Sequence, residues 1–220
     1  MFSNPTIPNL ADFFTWCISQ GVPAAELPSG SLSGLAIDAS GNATATATSG
    51  VIAAGEVLYG QNVPSGLYIT SWTGLSGTVM PVPLVAISAS TAQAFSQFAA
   101  WALNYALEVA LPGPQIGAGL AGYAGSYVMA TYNLGLHQLL KVAQDVSGNF
   151  FATARQTYGL TSPKVGVVMA SEDQGTSQTL VVPEFFSRLT LSDLDLMKTP
   201  YGREYLGYAQ MYGSTIVDFS

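Results

Sequence analysis

His137 is the one histidine in a chain of 220 residues, and Cys17 is the one cysteine. General bases, nucleophiles and metal ligands are drawn mostly from these residue types. His137 lies in a helix-like run with no HExxH context and no Cys or acid at ligand spacing, so its surroundings predict a structural histidine rather than a metal ligand. A Ser–His–Asp triad would have to use His137, and no G-x-S-x-G elbow nominates its serine. Cys17 can form no intrachain disulfide and no Cys-based metal site; within ADFFTWCISQ it reads as a small buried hydrophobe. Glu172 and Asp173 could face a cation, but adjacent acids at a loop tip read first as solvated groups. Gly117–Gly122 matches G-x-G-x-x-G, yet no strand precedes it and no βαβ alternation surrounds it. The glycines there read as small residues that let helices approach. No constellation of acid, base and nucleophile is visible, so the expectation is a non-enzymatic protein without a cofactor or metal.

Composition narrows the class. Apolar residues make up 49% and charged residues only 9%, against about 25% charged in ordinary soluble proteins. A core is assured, and so weakly charged a surface suits a subunit that hides much of itself in an assembly. The formal net charge is −7, and no Lys or Arg precedes Lys141. A chain built that way does not grip phosphates through its first 140 positions; its neutral to acidic walls would let DNA slide past. Ile116–Leu136 is uncharged over 21 residues, long enough to span a bilayer. It carries Ser126, Thr131, Asn133 and three tyrosines and lacks basic residues on its N-terminal side. A buried helix in a bundle or ring interface is the better reading, with no membrane partner. No secretory n-region is visible, which points to synthesis in a reducing cytoplasm.

The positioning elements follow from pattern. Pro8–Gln20 reads as a helix capped by Asn9, with Leu10, Phe13, Phe14, Cys17 and Ile18 on one stripe. Ser29–Ser88 contains only two charges, Asp38 and Glu56, and is dense in Gly, Ser, Thr, Val and Ile. Ala43–Thr48 alternates with period two, and turn signals recur around Gly41, Gly50, Gly55, Gly66 and Gly74. Four to six short strands are expected there, as a small sandwich or barrel; an elaborated Gly-rich loop is the alternative. Ser90-Thr91 is expected to cap a helix running to Val109, with Phe95, Phe98, Ala99, Ala102, Leu103, Ala106 and Val109 on its apolar face. A long helix over 115–145, broken near Gly135, and a third over 148–158 follow. Val165–Met169 and Gln178–Val182 read as strands flanking a polar tip that holds Glu172 and Asp173. Near the C-terminus, Ser192 is a good N-cap, and Pro200 can open a second helix. Tyr201, Tyr205, Tyr208 and Tyr212 recur at helical spacing, which by itself reads equally well as an amphipathic helix facing a core. A β-prone tail, Thr215–Phe219, closes the chain.

TPYGREYLGYAQ followed by an extended apolar tail resembles the C-terminal end of the head–tail connector (adaptor) proteins of tailed bacteriophages. The resemblance covers Leu191–Ser220 and, more loosely, Phe2–Glu26 and Ser90–Gln178; it leaves out Ser29–Ser88. The run from Gly55 to Ser88 is similar to a β module of phage structural proteins that serves as a surface or decoration element. The resemblance implies an α+β fold: a small connector-like helical bundle (1–28 and 89–220) with an inserted all-β module (29–88) and a projecting β-hairpin. It further implies a virion protein of the neck, forming a ring, typically twelve-fold, through which DNA passes without specific binding. The portal protein would lie above it and a tail-side neck or terminator protein below. Assembly contacts are expected at Tyr201, Arg203, Tyr205 and Tyr208, at Ile216, Val217 and Phe219 of the tail, and at Glu172 and Asp173 of the hairpin. The alternatives are a virion module that binds carbohydrate or a host surface through Tyr59, Tyr68 and Trp72, and a capsid decoration or tail-terminator protein.

Overall fold

A computed structural model of the chain describes residues 7–110, 124–161, 170–173, 176–179 and 190–212. The fold is α+β, with helices on either side of an antiparallel sheet in the chain order. Helix α1, Leu10–Ser19, begins where the Asn9 side chain accepts the backbone N–H of Asp12 at 3.0 Å. It buries Leu10, Phe13, Phe14, Trp16 and Cys17. A short 3-10 turn, Ala24–Glu26, leads into the sheet.

Seven strands follow: β1 (Ser29–Ile37), β2 (Asn42–Thr44), β3 (Ala47–Gly50), β4 (Val57–Gly60), β5 (Tyr68–Thr73), β6 (Ser76–Met80) and β7 (Ile87–Phe95). Every pairing is antiparallel, in the order β2-β6-β5-β4-β7-β1-β3. Since β2 also pairs with β1, six of the strands close into a small barrel, which leaves the short β3 as the edge strand. Closure depends on a corner at Gly34. The register of β1 shifts between Leu32 and Leu35, and β1 changes partner from β3 to β2 there. Gly34 has φ +58, and a Cβ would come within 2.8 Å of the Thr46 side chain, so the bulge calls for glycine. Alternate side chains fill the interior: Leu32, Leu35, Ile37, Leu58, Leu67, Ile69, Val79, Ala92 and Ala94. Ser29 pairs directly with Phe95, so the chain enters and leaves the barrel at one point, about 5 Å apart.

The remaining helices are α2 (Gln97–Val109), α3 (Ala124–Val142), α4 (Phe150–Thr157), α5 (Leu191–Leu196) and α6 (Pro200–Tyr212). Helix α3 packs against α1, α2, α4 and α6 and is buried all round from Ala130 to His137. That is why its sequence is uncharged: a helix apolar on every side is a core helix here. Among the described residues no helix is long and apolar enough to cross a membrane. Gly135 does not interrupt α3. A Cβ there would meet the Phe13 ring at 2.9 Å, so the glycine lets α1 lie close. Phe13, Trp16 and Tyr132 meet at the centre, with ring centroids 5.3–6.4 Å apart. Phe95 bridges the two parts of the molecule, stacking near Phe14 at 5.1 Å.

Three sequence expectations are corrected. Ser90 and Thr91 do not cap a helix; they lie in β7, and the helix starts after Ser96. The sheet therefore runs past Ser88 to Phe95, and Phe95 belongs to the strand rather than to the apolar face of α2. The barrel interior admits Ala92 and Ala94, both 0% exposed, so a stretch that favours helix locally is taken by the sheet. Helix α5 is capped by Thr190, not Ser192: Thr190 and Asp193 form a reciprocal capping box. In the hairpin, the strands are β8 (Ala170–Asp173) and β9 (Thr176–Thr179), in register. Glu172 and Asp173 are strand residues rather than part of a loop tip. The expected strands at 165–169 and 180–182, the Gly117–Gly122 run and the C-terminal tail lie outside the described residues.

Candidate functional site

The α5–α6 joint carries the densest polar constellation. His137 reaches out of α3 and is 2% exposed. Its Nδ1 lies 2.7 Å from the Thr199 hydroxyl, and its Nε2 lies 3.5 Å from Asp195 Oδ2. Thr199 Oγ1 also accepts the Gly202 backbone N–H at 3.0 Å, which makes Thr199 the cap of α6. Ionised Asp195 can only accept, which assigns the ring proton to Nε2 facing it and leaves Nδ1 to accept from the Thr199 hydroxyl. Burial pushes His137 down to about 4, and Lys141 adds to the effect against the pull of Asp195. The imidazole is neutral at physiological pH. Asp195 also takes Lys141 at 2.6 Å and Lys198 at 3.5 Å. Burial opposes its ionisation, but Lys141, His137 and Lys198 together outweigh burial and hold the carboxyl below its usual range.

Acid, histidine and hydroxyl thus stand together in the order of a hydrolase triad. Thr199, however, is 0% exposed and its oxygen is committed to a helix cap. A substrate has no path to that oxygen. What the arrangement does is fasten α5 and α6 to α3. The partners of His137 lie 58 and 62 residues downstream, beyond the reach of any local spacing rule.

The same fastening recurs at other helix ends. Asp145 accepts the backbone N–H of Phe151 at 2.7 Å, capping α4. Arg155 answers from α4 to the carbonyls of Leu140 and Ala143 at the end of α3. Glu26, nearly fully buried, accepts the Val146 N–H at 2.7 Å. Tyr132 accepts the Asn9 N–H at 3.1 Å, and burial raises its phenol. Every described Lys and Arg is engaged within the chain: Lys141, Arg155, Lys198, and Arg203 to the Met197 carbonyl at 3.4 Å.

The sequence-predicted contact residues divide accordingly. Tyr205 is buried against Ala106, Ala130, Leu134 and Leu196, with Tyr208 packed beside them. Tyr201 is half-buried: its hydroxyl donates to the Gln20 carbonyl at 3.2 Å, and its ring meets Trp16 edge-on at 6.3 Å. The three tyrosines knit α6 to the rest of the helical part, and Arg203 alone of that set is exposed. Glu172 and Asp173 pair with Ser177 and Thr176 in the hairpin. Ile216, Val217 and Phe219 lie outside the described residues.

A second feature is a cleft of about 630 Å³ between the barrel and α2, lined by Tyr59, Tyr68 and Trp101. Trp72 is elsewhere: it packs on the barrel core, and its indole donates to the Gly74 carbonyl at 3.0 Å. Trp101 lies on the exposed side of α2, opposite the buried face that the apolar spacing marks. Among the described residues no group of three or more His, Cys, Asp or Glu is placed to hold a metal ion. No protein-family model, curated protein or solved structure matches this chain.

Proposed function

We propose that this chain is a structural, non-enzymatic subunit of a head–tail connector ring in a tailed phage, joining portal to tail around a DNA passage. The observation that carries the reading is how the helical part spends its charge. Its described cations all serve internal helix joints, while large apolar side chains remain at its surface: Leu107, Val109, Val146, Leu191 and Met211, at 40–78% exposure. Apolar surface with few competing charges marks protein–protein contact. Lateral contacts of one surface against a different one close into rings. The element order adds support: the hairpin falls between α4 and α5, and the TPYG segment opens the last described helix, as the connector resemblance implies. Tyr201, Tyr205 and Tyr208 then serve by setting α6 rigidly in place, and Arg203 faces the neighbour.

The test is removal of Thr215–Ser220. The truncated protein should fold with unchanged helical circular dichroism and fail to join the neck of the particle. Particles assembled normally with it would overturn the assembly role of the tail. A virion module that binds carbohydrate is the second reading, favoured by the aromatic cleft beside α2.

A further inference from the structure

We propose that the cleft between the barrel and α2 binds a neutral oligosaccharide. The inference rests on the cleft alone and holds whether or not the chain forms a neck ring.

The walls come from two elements with different periodicity. Along β4, Leu58 points into the barrel, so Tyr59 points out; along β5, Leu67 and Ile69 point in, so Tyr68 points out. Val57 pairs with Tyr68 across the two strands, which sets the tyrosines on one outer face. Opposite them runs α2. Ala99, Ala102, Leu103 and Ala106 bury one side of it, and Gln97, Trp101 and Asn104, spaced four and three apart, face the cleft. Asn9 closes one end, where its side chain caps α1.

Three aromatic rings stay 41–55% exposed around this space. Leaving them exposed forgoes burial of large apolar faces, which a flat, partly apolar ligand would supply. Among the described residues no Asp, Glu, Lys or Arg lines the cleft. A phosphate, a carboxylate or an ammonium group would enter it unpaired. Besides the hydroxyls of Ser65 and the tyrosines, the polar side chains include the amides of Asn9, Gln97 and Asn104, each with one acceptor oxygen and two N–H donors. Among the described residues the side-chain amides of Gln97 and Asn104 make no hydrogen bond within the protein. Sugar hydroxyls donate and accept at the same atom, so they satisfy both ends of an amide. A proline-rich peptide, the other ligand that suits aromatic grooves, brings carbonyl acceptors but few N–H donors. It would leave the amide oxygens unpaired. The volume lies within the range of small-ligand sites.

The test is titration of the full chain with maltohexaose, cellohexaose and chitohexaose, followed by calorimetry and tryptophan fluorescence. At least one should bind saturably with a Kd below about 1 mM. Trp101→Ala and Tyr68→Ala should each weaken it about tenfold, and Trp72→Phe should leave it unchanged. Circular dichroism checks that the variants fold, and Asn104→Leu, on an exposed helix position, gives a second variant that spares the aromatic rings. If none of the three sugars saturates at 10 mM, the proposal fails. It fails equally if Trp101→Ala alters self-association and not sugar binding, which would make the cleft a contact between copies. The fate of truncated chains in neck assembly is a separate readout, so the two readings can fail independently.

Discussion

The barrel and the helical part are held together in opposite ways. The barrel stands on backbone ladders and a small apolar interior that closes on itself. It contains two acids and no cation. Asp38 serves only its own turn, accepting Ser40, Asn42 and the Asn42 amide at 2.8 Å. Glu56 is buried and accepts Ala53 N–H at 3.0 Å, with its other oxygen unpartnered among the described residues. In the helical part, side chains tie most of the described junctions: Asn9, Glu26, Asp145, Arg155, Thr190, Asp195 and Thr199; the start of α2 at Ser96 has no such cap. A closed barrel leaves few backbone groups to satisfy, whereas each helix end leaves several. Most of the described charges of the helical part go where the backbone needs them.

The sharpest way to break the comparison is to excise the barrel. Ser29 and Phe95 are neighbours, so replacing 30–94 with a Gly-Ser pair should leave the helices folded. The strand signal should fall to that of the β8–β9 hairpin in circular dichroism while the helical signal and a cooperative melt remain. A chain without helical signal would show that the barrel holds the helical part together.

The next effect is in pH, and the two parts should answer with opposite sign. Burial pushes Glu56 up to about 7 from 4.5, Ala53 opposing. Between those values the folded chain keeps a proton that the unfolded chain has lost, so its contribution is full below pH 4.5 and fades as pH rises to 7. His137, lowered from 6.5 to about 4, does the reverse: the unfolded chain takes up a proton that the fold refuses. Stability falls as pH drops from 6.5 toward 4. Each slope is on the order of 3 kcal/mol over its window. Denaturant titrations at pH 4.5, 5.5 and 7 check this, with Glu56→Gln removing the alkaline loss and His137→Asn the acid loss. Unchanged slopes would mean these groups are solvated.

A smaller effect separates cap from packing. Thr199→Val loses the α6 cap and leaves His137 Nδ1 without its donor, at about 2 kcal/mol. The melting temperature should fall by about 4–8 °C. Thr199→Ser keeps both bonds and should melt near the parent; a fall in Thr199→Ser with none in Thr199→Val would assign the stability to the methyl group, which valine retains.

Much of this was legible along the chain. The cap at Asn9, the stripe of α1, a run of short strands within 29–88 and the tyrosine face of α6 all follow from local spacing. What was not legible was decided by distant partners. Thr190 and Ser192 both precede an acid by three residues, so spacing alone does not separate the expected cap, Ser192, from the true one, Thr190. Asp195 is taken by Lys141 and His137 from α3, and Asp193 is left to complete the box with Thr190. In the same way Ala92 and Ala94 look helical until a narrow barrel requires small side chains. At the candidate site, His137 is visible as the one histidine, but Thr199 and Asp195 are joined to it only by the packing of α6 on α3. The cleft needed both the pleat of β4 and β5 and the exposed side of α2, two periods that meet only in the fold.

The most direct measurement is electron microscopy of the native particle with this chain located and its copies counted. The connector account predicts one ring of about twelve copies between head and tail, with the barrels distinct from the helical ring. Copies spread over the shell, or a few at the distal tip, would contradict it.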